Sequence, residues 1–125
     1  MLFRSVDMYW FDFHAECRGM KFENVDRLVK ILQNKIDLFG ETVLEKGVAK
    51  QMQSGIIRTN CMDCLDRTNV AQSAFGQYVL QKDLQDEGYQ IDLVHDVTTQ
   101  WFNSLWADNG DAISRQYAGT AALKV

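Results

Sequence analysis

The chain has 125 residues, 46% of them hydrophobic and 24% charged, and carries a formal net charge of −4. That composition fits one small soluble domain with a modest core, and the acidic balance argues against a nucleic-acid binder, which gathers Lys and Arg onto one face. No apolar run approaches the ~20 residues of a spanning helix, and no signal-peptide pattern opens the sequence.

The aromatic run "MYWFDFH" predicts a strand over residues 7–13 covered on both faces, with His14 and Glu16 at its exit. From Asn24, a candidate N-cap, the positions Val25, Leu28, Val29, Leu32, Ile36 and Phe39 recur at helical spacing, and Gly40 is placed to stop the helix. That stripe is expected to be core. "ETVLEKGVAKQMQSG" predicts a loop with a short strand. "GIIR", residues 55–58, predicts a buried strand leading into a cysteine-rich segment.

After Arg67 a helical face of Val70, Ala71, Ala74, Phe75, Tyr78 and Val79 runs to about Leu84. An acidic link, "QDEGYQID", separates it from a helical stretch carrying Val97, Trp101, Leu105 and Trp106, both tryptophans expected in the core. "ADNGDAISRQYAGTAALK" reads as loop and then helix. The strand so near residue 1 and the uncapped end at Val125 give the expectation of an incomplete domain. The fold class expected is α/β, with a strand, tight loop and helix at its core.

The chemistry concentrates in "RTNCMDCLDRTNVAQ", residues 58–72. Cys61 and Arg67 stand in C-x-x-x-x-x-R spacing between a predicted strand and a predicted helix. A loop of that length can curl around one phosphate and aim its backbone N–H groups, with those of the helix start, at the oxygens. The same donors lower a thiol pKa from ~8.5 into the ~3.5–7.5 range, so Cys61 is the candidate nucleophile. Arg67 supplies a planar fork for two phosphate oxygens, and Thr68 is a candidate for assisting breakdown of a cysteinyl-phosphate. Asp63 and Asp66 are both candidates for the acid that protonates the leaving alkoxide, and the sequence does not choose between them. Asn60, Met62, Cys64, Leu65 and Asn69 complete the substrate-binding set, with Asn60 and Asn69 read either as loop braces or as plain caps.

Cys61 and Cys64 also form a C-x-x-C pair, which serves redox and zinc chemistry elsewhere. Zinc is disfavoured: the chain offers only Cys17, His14 and His95 besides, without ligand spacing. Redox chemistry leaves the Asp-Arg-Thr downstream unexplained. Cys64 is then a small buried hydrophobe or a resolving thiol for Cys61. Three cysteines without a secretory signal point to a reducing compartment.

"RTNCMDCLDRTN" resembles the signature of the Sac-domain phosphoinositide phosphatases, most closely the membrane-anchored type of the endoplasmic reticulum and Golgi. "YWFDFHAECRGMKFENV" and "WADNGDAISRQYAGTAALK" are similar to further blocks of that family. The C-x-D-x-x-D-R-T pattern is also similar to that of the myotubularin lipid phosphatases. Protein tyrosine phosphatases differ, with His before the nucleophile and glycines in the loop. The resemblance implies a cysteine-phosphatase-like strand, phosphate-loop, helix core, with Cys61 as nucleophile, Arg67 as phosphate-binding arginine, and Asp63 and Asp66 as loop carboxylates; a thiolate route needs no cofactor or metal, and none is expected. It implies a phosphoinositide substrate in a membrane surface, on the cytosolic face of endoplasmic reticulum or Golgi, and no nucleic-acid partner. It also implies that residues 1–125 are the C-terminal part of a Sac-type catalytic domain whose N-terminal subdomain is absent from this chain. A loop with two acids and no lysine suits a headgroup with few phosphates, so phosphatidylinositol monophosphates are expected, mainly the 4-phosphate, with the 3-phosphate and 3,5-bisphosphate as open alternatives. Asp12, His14, Asp108, Asn109 and Tyr117 are candidates for pocket support, each with a structural alternative: a satisfied buried polar group, a cap or a turn. Ala121 stands where the family has glycine and is expected to be strained if its φ is positive. Two other functions compete with the phosphatase: a catalytically incompetent fragment with a binding role, and a thiol-redox protein.

Overall fold

The computed structural model describes residues 6–12, 15, 24–60, 65–93, 95–96 and 99–122. The elements in chain order are α1 (Val25–Phe39), β1 (Val43–Glu45), β2 (Val48–Gln51), α2 (Leu65–Asp86) and α3 (Gln100–Ala118). The helical stripe in α1 is present as expected at its N-terminal end, where Val25, Leu28 and Val29 are buried. Farther along, Leu32, Ile36 and Phe39 are only half-buried. Asn24 occupies the N-cap position without a side-chain cap bond, and Gly40 ends the helix at φ 62 with its N–H on the Ile36 carbonyl. That left-handed φ suits glycine.

β1 and β2 form an antiparallel hairpin paired Val43 to Gln51, Leu44 to Ala49 and Glu45 to Val48, leaving Lys50 as the extra residue of a bulge. Both strands are exposed along their whole length. Lys46 and Gly47, at φ 51 and 78, form the two-residue tip. Positive φ at both positions is the turn whose twist matches a hairpin. The sequence reading of one short strand in a loop missed this second strand.

Two predicted strands are not strands. Residues 7–12 and 55–58 have no backbone ladder among the described residues, and Phe13 lies outside them. Aromatic and β-branched side chains favour extended backbone, but a strand also needs a neighbour's N–H and C=O groups. Trp10 is 71% and Ile56 78% exposed, so neither segment is covered as expected. Isolated side-chain and backbone contacts hold them instead. Lys35 Nζ reaches Asp7 Oδ2 at 2.7 Å, and the Ala15 N–H donates to Asp12 Oδ1 at 3.0 Å. The Ser54 N–H donates to the Phe39 carbonyl at 2.8 Å. Gly55 follows directly, and a Cβ there would lie 2.3 Å from the Phe39 ring.

α2 is longer than its apolar pattern, since the helix already includes Leu65 to Arg67. It stops at Gly88, φ 89, where Tyr89 N–H bonds the Leu84 carbonyl and Gly88 N–H the Gln85 carbonyl. That pair of bonds satisfies the last carbonyls of a helix that cannot continue. Gln81 then grips the returning chain, its amide donating to the Ile91 carbonyl and accepting from Leu93 N–H at 3.0 Å. Leu93 is buried, and buried Thr99 donates to the Asp96 carbonyl at 2.6 Å at the entrance to α3.

α3 runs unbroken through "ADNGD", which the sequence reading took as a loop. Its turn-forming residues stay helical because Gly110 and Asn109 face α2, as described below. Phe102 is buried, but Trp101 is 54% exposed, a correction to the expectation that it is core; Trp106 is half-buried. Gly119, at φ 74, caps the helix by donating to the Arg115 carbonyl. Ala121 is not among the described residues with positive φ, of which Lys46 is the only non-glycine, so the expected strain does not arise. The fold is mixed helix and strand as expected, but its sheet is a hairpin, and the segment before the cysteine loop is extended chain.

α1 joins α2 through Asp37, whose Oδ1 accepts from Tyr78 Oη at 2.9 Å and Lys82 Nζ at 2.8 Å. Those bonds hold the Asp37 carboxyl below its ordinary pKa. Beside them Glu41 is pushed above its ordinary value of 4.5 by a hydrogen bond with Asp83, then by burial and the Asp83 charge, with Lys82 opposing and Asp86 adding. A raised folded-state pKa means that this contribution is present below 4.5 and lost as pH rises through the higher folded value. Glu41→Gln keeps a donor without ionising. Melts from pH 4 to 7 should show the variant gaining on wild type by no more than about 1 kcal/mol, all of it at the upper end. In Gly55→Ala the new methyl should displace the Phe39 ring and cost roughly 1–3 kcal/mol in a urea melt.

Candidate phosphate site at the start of α2

The first N–H groups of a helix have no partner within it, and their dipoles sum to a partial positive charge. α2 begins at Leu65, four residues after Cys61, so the cysteine segment leads directly into such an end. Asp66, Arg67 and Thr68 are in its first turn and half-buried. An Arg at this point brings a full charge and a bidentate fork to a place where backbone donors already converge.

The chain approaching the loop is tethered to the same helix. Gln72 Nε2 donates to Thr59 Oγ1 at 3.1 Å, joining the residue before exposed Asn60 to the second turn of α2. Farther back, Ser54 and Gly55 are fixed against Phe39. The segment is thus held at both ends, at the C-terminus of α1 and on α2. Cys61, Met62, Asp63 and Cys64, and His14 among the support candidates, lie outside the described residues.

Asn69 sits one residue past Thr68, and both ends of its amide are committed to α3. Its Nδ2 donates to the Trp106 carbonyl at 2.9 Å, and its Oδ1 accepts from Asn109 Nδ2 at 2.8 Å. Gly110 is buried against it: a Cβ there would be 3.0 Å from Asn69 Nδ2. Two turns along α2, Gly76 lies under the Trp106 ring at a distance that leaves 3.1 Å to a hypothetical Cβ. Of the other support candidates, Asp108 is exposed on α3, Tyr117 is 81% exposed, and Asp12 is exposed and caps Ala15. The structure therefore brings Asn69 and Asn109 together with Arg67's helical turn, while Asp12 binds only locally. Gly110, Trp106, Gly76, Thr59 and Gln72 were missed in the sequence; a glycine in the middle of a helix was the available signal for Gly110.

Two clefts lie along the other half of α2. One of about 450 Å³ is lined by Asp37, Glu41, Asp83, Asp86 and Glu87 with Lys82 as its cation. A wider groove of about 1050 Å³ runs between α1, α2 and the 88–92 turn, beside Gln77, Gln81 and Gln85. Neither includes residues 58–69. Carboxylates dominate the first, which repels a phosphate. Among the described residues no group of His, Cys, Asp and Glu could hold a metal ion, and no helix is long and apolar enough to cross a membrane.

A half-buried arginine in the first turn of a helix can offer one anion a bidentate fork beside the backbone donors of the helix start. Known proteins narrow this further. The human protein named phosphatidylinositide phosphatase SAC2 is 49% identical over 117 residues, covering 91% of this chain and 10% of its own length. The protein named phosphatidylinositol-3-phosphatase SAC1 is 42% identical in Drosophila melanogaster, over 91% of this chain and 20% of its own length. In Saccharomyces cerevisiae the protein of that name is 41% identical, over 96% of this chain and 21% of its own length. The chain belongs to the Sac-domain family of phosphoinositide phosphatases and corresponds to a segment of it, spanning about a tenth to a fifth of these relatives. No family model matches the chain, and no solved structure does.

Proposed function

We propose that the protein hydrolyses the phosphomonoester of phosphatidylinositol monophosphates, mainly the 4-phosphate, through a cysteinyl-phosphate intermediate. The observation that carries this reading is Arg67 in the first turn of a helix that begins four residues after Cys61. The Cys61 thiolate attacks phosphorus while Arg67 and the N–H groups of the α2 start hold the equatorial oxygens. The bond from phosphorus to the inositol oxygen breaks, and Asp63 or Asp66 gives that oxygen its proton. Water then attacks the cysteinyl-phosphate, the sulfur–phosphorus bond breaks, inorganic phosphate leaves, and the same carboxylate takes the proton from water. Thr68 assists this second step. In this reading residues 1–125 are the C-terminal part of a Sac catalytic domain, and the lipid is presented in a membrane at the cytosolic face of endoplasmic reticulum or Golgi.

Relatives named for the 3-phosphate make ring position part of the test. Phosphate release is measured from short-chain phosphatidylinositol 4-phosphate and 3-phosphate by the full-length protein. The 4-phosphate should turn over faster, and Cys61→Ser should release nothing, since a hydroxyl is not ionised at neutral pH. Arg67→Lys should lose roughly a hundredfold in kcat, because an ammonium does not reproduce the two parallel hydrogen bonds. Of Asp63→Ala and Asp66→Ala, the variant that loses the basic-side dependence on a protonated acid identifies the donor. Undiminished turnover by Cys61→Ser would sink the mechanism, and a reversible disulfide without phosphate release would replace it with the redox reading.

A further inference from the structure

We propose that Asn69 and Asn109 are positioning residues, forming with Gly110 and the Trp106 carbonyl an interhelical amide clasp that sets the roll of the α2 start and so the aim of Arg67. The inference rests on the phosphatase reading, for which it identifies a support that touches no substrate.

The hydrogen-bond directions of the clasp are fixed by chemistry. A backbone carbonyl only accepts, so the end of the Asn69 amide at the Trp106 oxygen, 2.9 Å away, is the NH2 group. Its other end is then the carbonyl oxygen, and the Asn109 atom 2.8 Å from it must be a donor. Only an amide satisfies this arrangement at position 109 without changing its shape: aspartate has the same outline and no donor. Space imposes a second condition. Residue 110 faces Asn69 so closely that a methyl would sit 3.0 Å from Nδ2 and 3.4 Å from Cγ, tighter than carbon and nitrogen approach without moving apart. Glycine in mid-helix is costly by roughly 1 kcal/mol relative to alanine, and here it admits the amide.

The clasp acts on Arg67 because the two residues share one turn. Asn69 is two positions beyond Arg67, so its Cα is carried on the same rigid turn, and a rotation of α2 that broke the Asn69 bonds would swing Arg67 with it. The second contact between the helices, Gly76 beneath Trp106, lies two turns away and resists translation more than rotation of the first turn. A transition state held by a bidentate fork is sensitive to such rotation, while initial capture of a doubly charged phosphate is governed mostly by charge. The expected signature is a loss in kcat with KM nearly unchanged.

The test uses Asn109→Ala, Asn109→Asp, Asn109→Gln and Gly110→Ala in the full-length protein. Asn109 is exposed, so its variants should fold even where Gly110→Ala does not. Two readouts are taken: steady-state kinetics on phosphatidylinositol 4-phosphate, and amide hydrogen exchange over residues 65–70. Asn109→Ala and Asn109→Asp should each lose roughly five- to tenfold in kcat with little change in KM, Asn109→Gln should recover much of the loss, and exchange over 65–70 should quicken in the first two. The clasp is overturned if exchange is unchanged, if kcat is unchanged despite faster exchange, or if aspartate serves as well as asparagine. If wild type releases no phosphate, the phosphatase reading falls and the exchange comparison alone decides whether the clasp holds the α2 start.

Discussion

The closeness of α2 to α3 is the constraint on which the rest of the structure depends. Two glycines, one on each helix, make it possible: Gly76 lies under the Trp106 ring and Gly110 under the Asn69 amide. Asn69 meets Gly110 while Gly76 meets Trp106, so the contacts run in opposite order along the two chains. Core residues are few and small here; Ala71 is the one buried hydrophobic residue of α2. The seam therefore relies on close backbone approach and on amide hydrogen bonds more than on interdigitated aliphatic side chains. From α2 the other parts are hung in turn: α1 through Asp37 on Tyr78 and Lys82, the 89–93 return through Gln81, and the segment before the cysteines through Gln72.

α2 is also polarised along its length. Its start carries Arg67, whereas its last turn carries Asp83 and Asp86 and no basic residue. Carboxylates at a C-terminus oppose the helix dipole. The protein offsets this with the Gly88 cap and with Lys82, whose ammonium reaches Asp37 of α1 from the same end. An anion approaching α2 thus meets a favourable potential at one end only.

What the sequence revealed followed from the kind of signal each feature leaves. The α1 stripe and its Gly40 stop are local and periodic, and the helix appears where they place it. The C-x-x-x-x-x-R spacing is likewise a local signal, and of its residues the structure describes Leu65, Asp66 and Arg67, in the first turn of α2. The strands expected at residues 7–13 and 55–58 failed because pairing is a property of two segments, and apolar β-branched composition speaks for only one. "ADNGD" misled for the opposite reason. Asn, Asp and Gly favour turns when nothing else constrains them, but Asn109 and Gly110 are spent on Asn69, forty positions away in the chain. The clasp could not be read from spacing, since its partners come from two helices.

The hairpin has a practical consequence. Val43, Leu44 and Val48 stand exposed on strands that touch the rest of the chain little, and Lys46 and Gly47 project at its tip. A turn of this kind tolerates added residues better than any helical position, because its backbone already faces water. A fluorophore or a short epitope placed between Lys46 and Gly47 would report where the protein resides without disturbing the seam that carries Arg67.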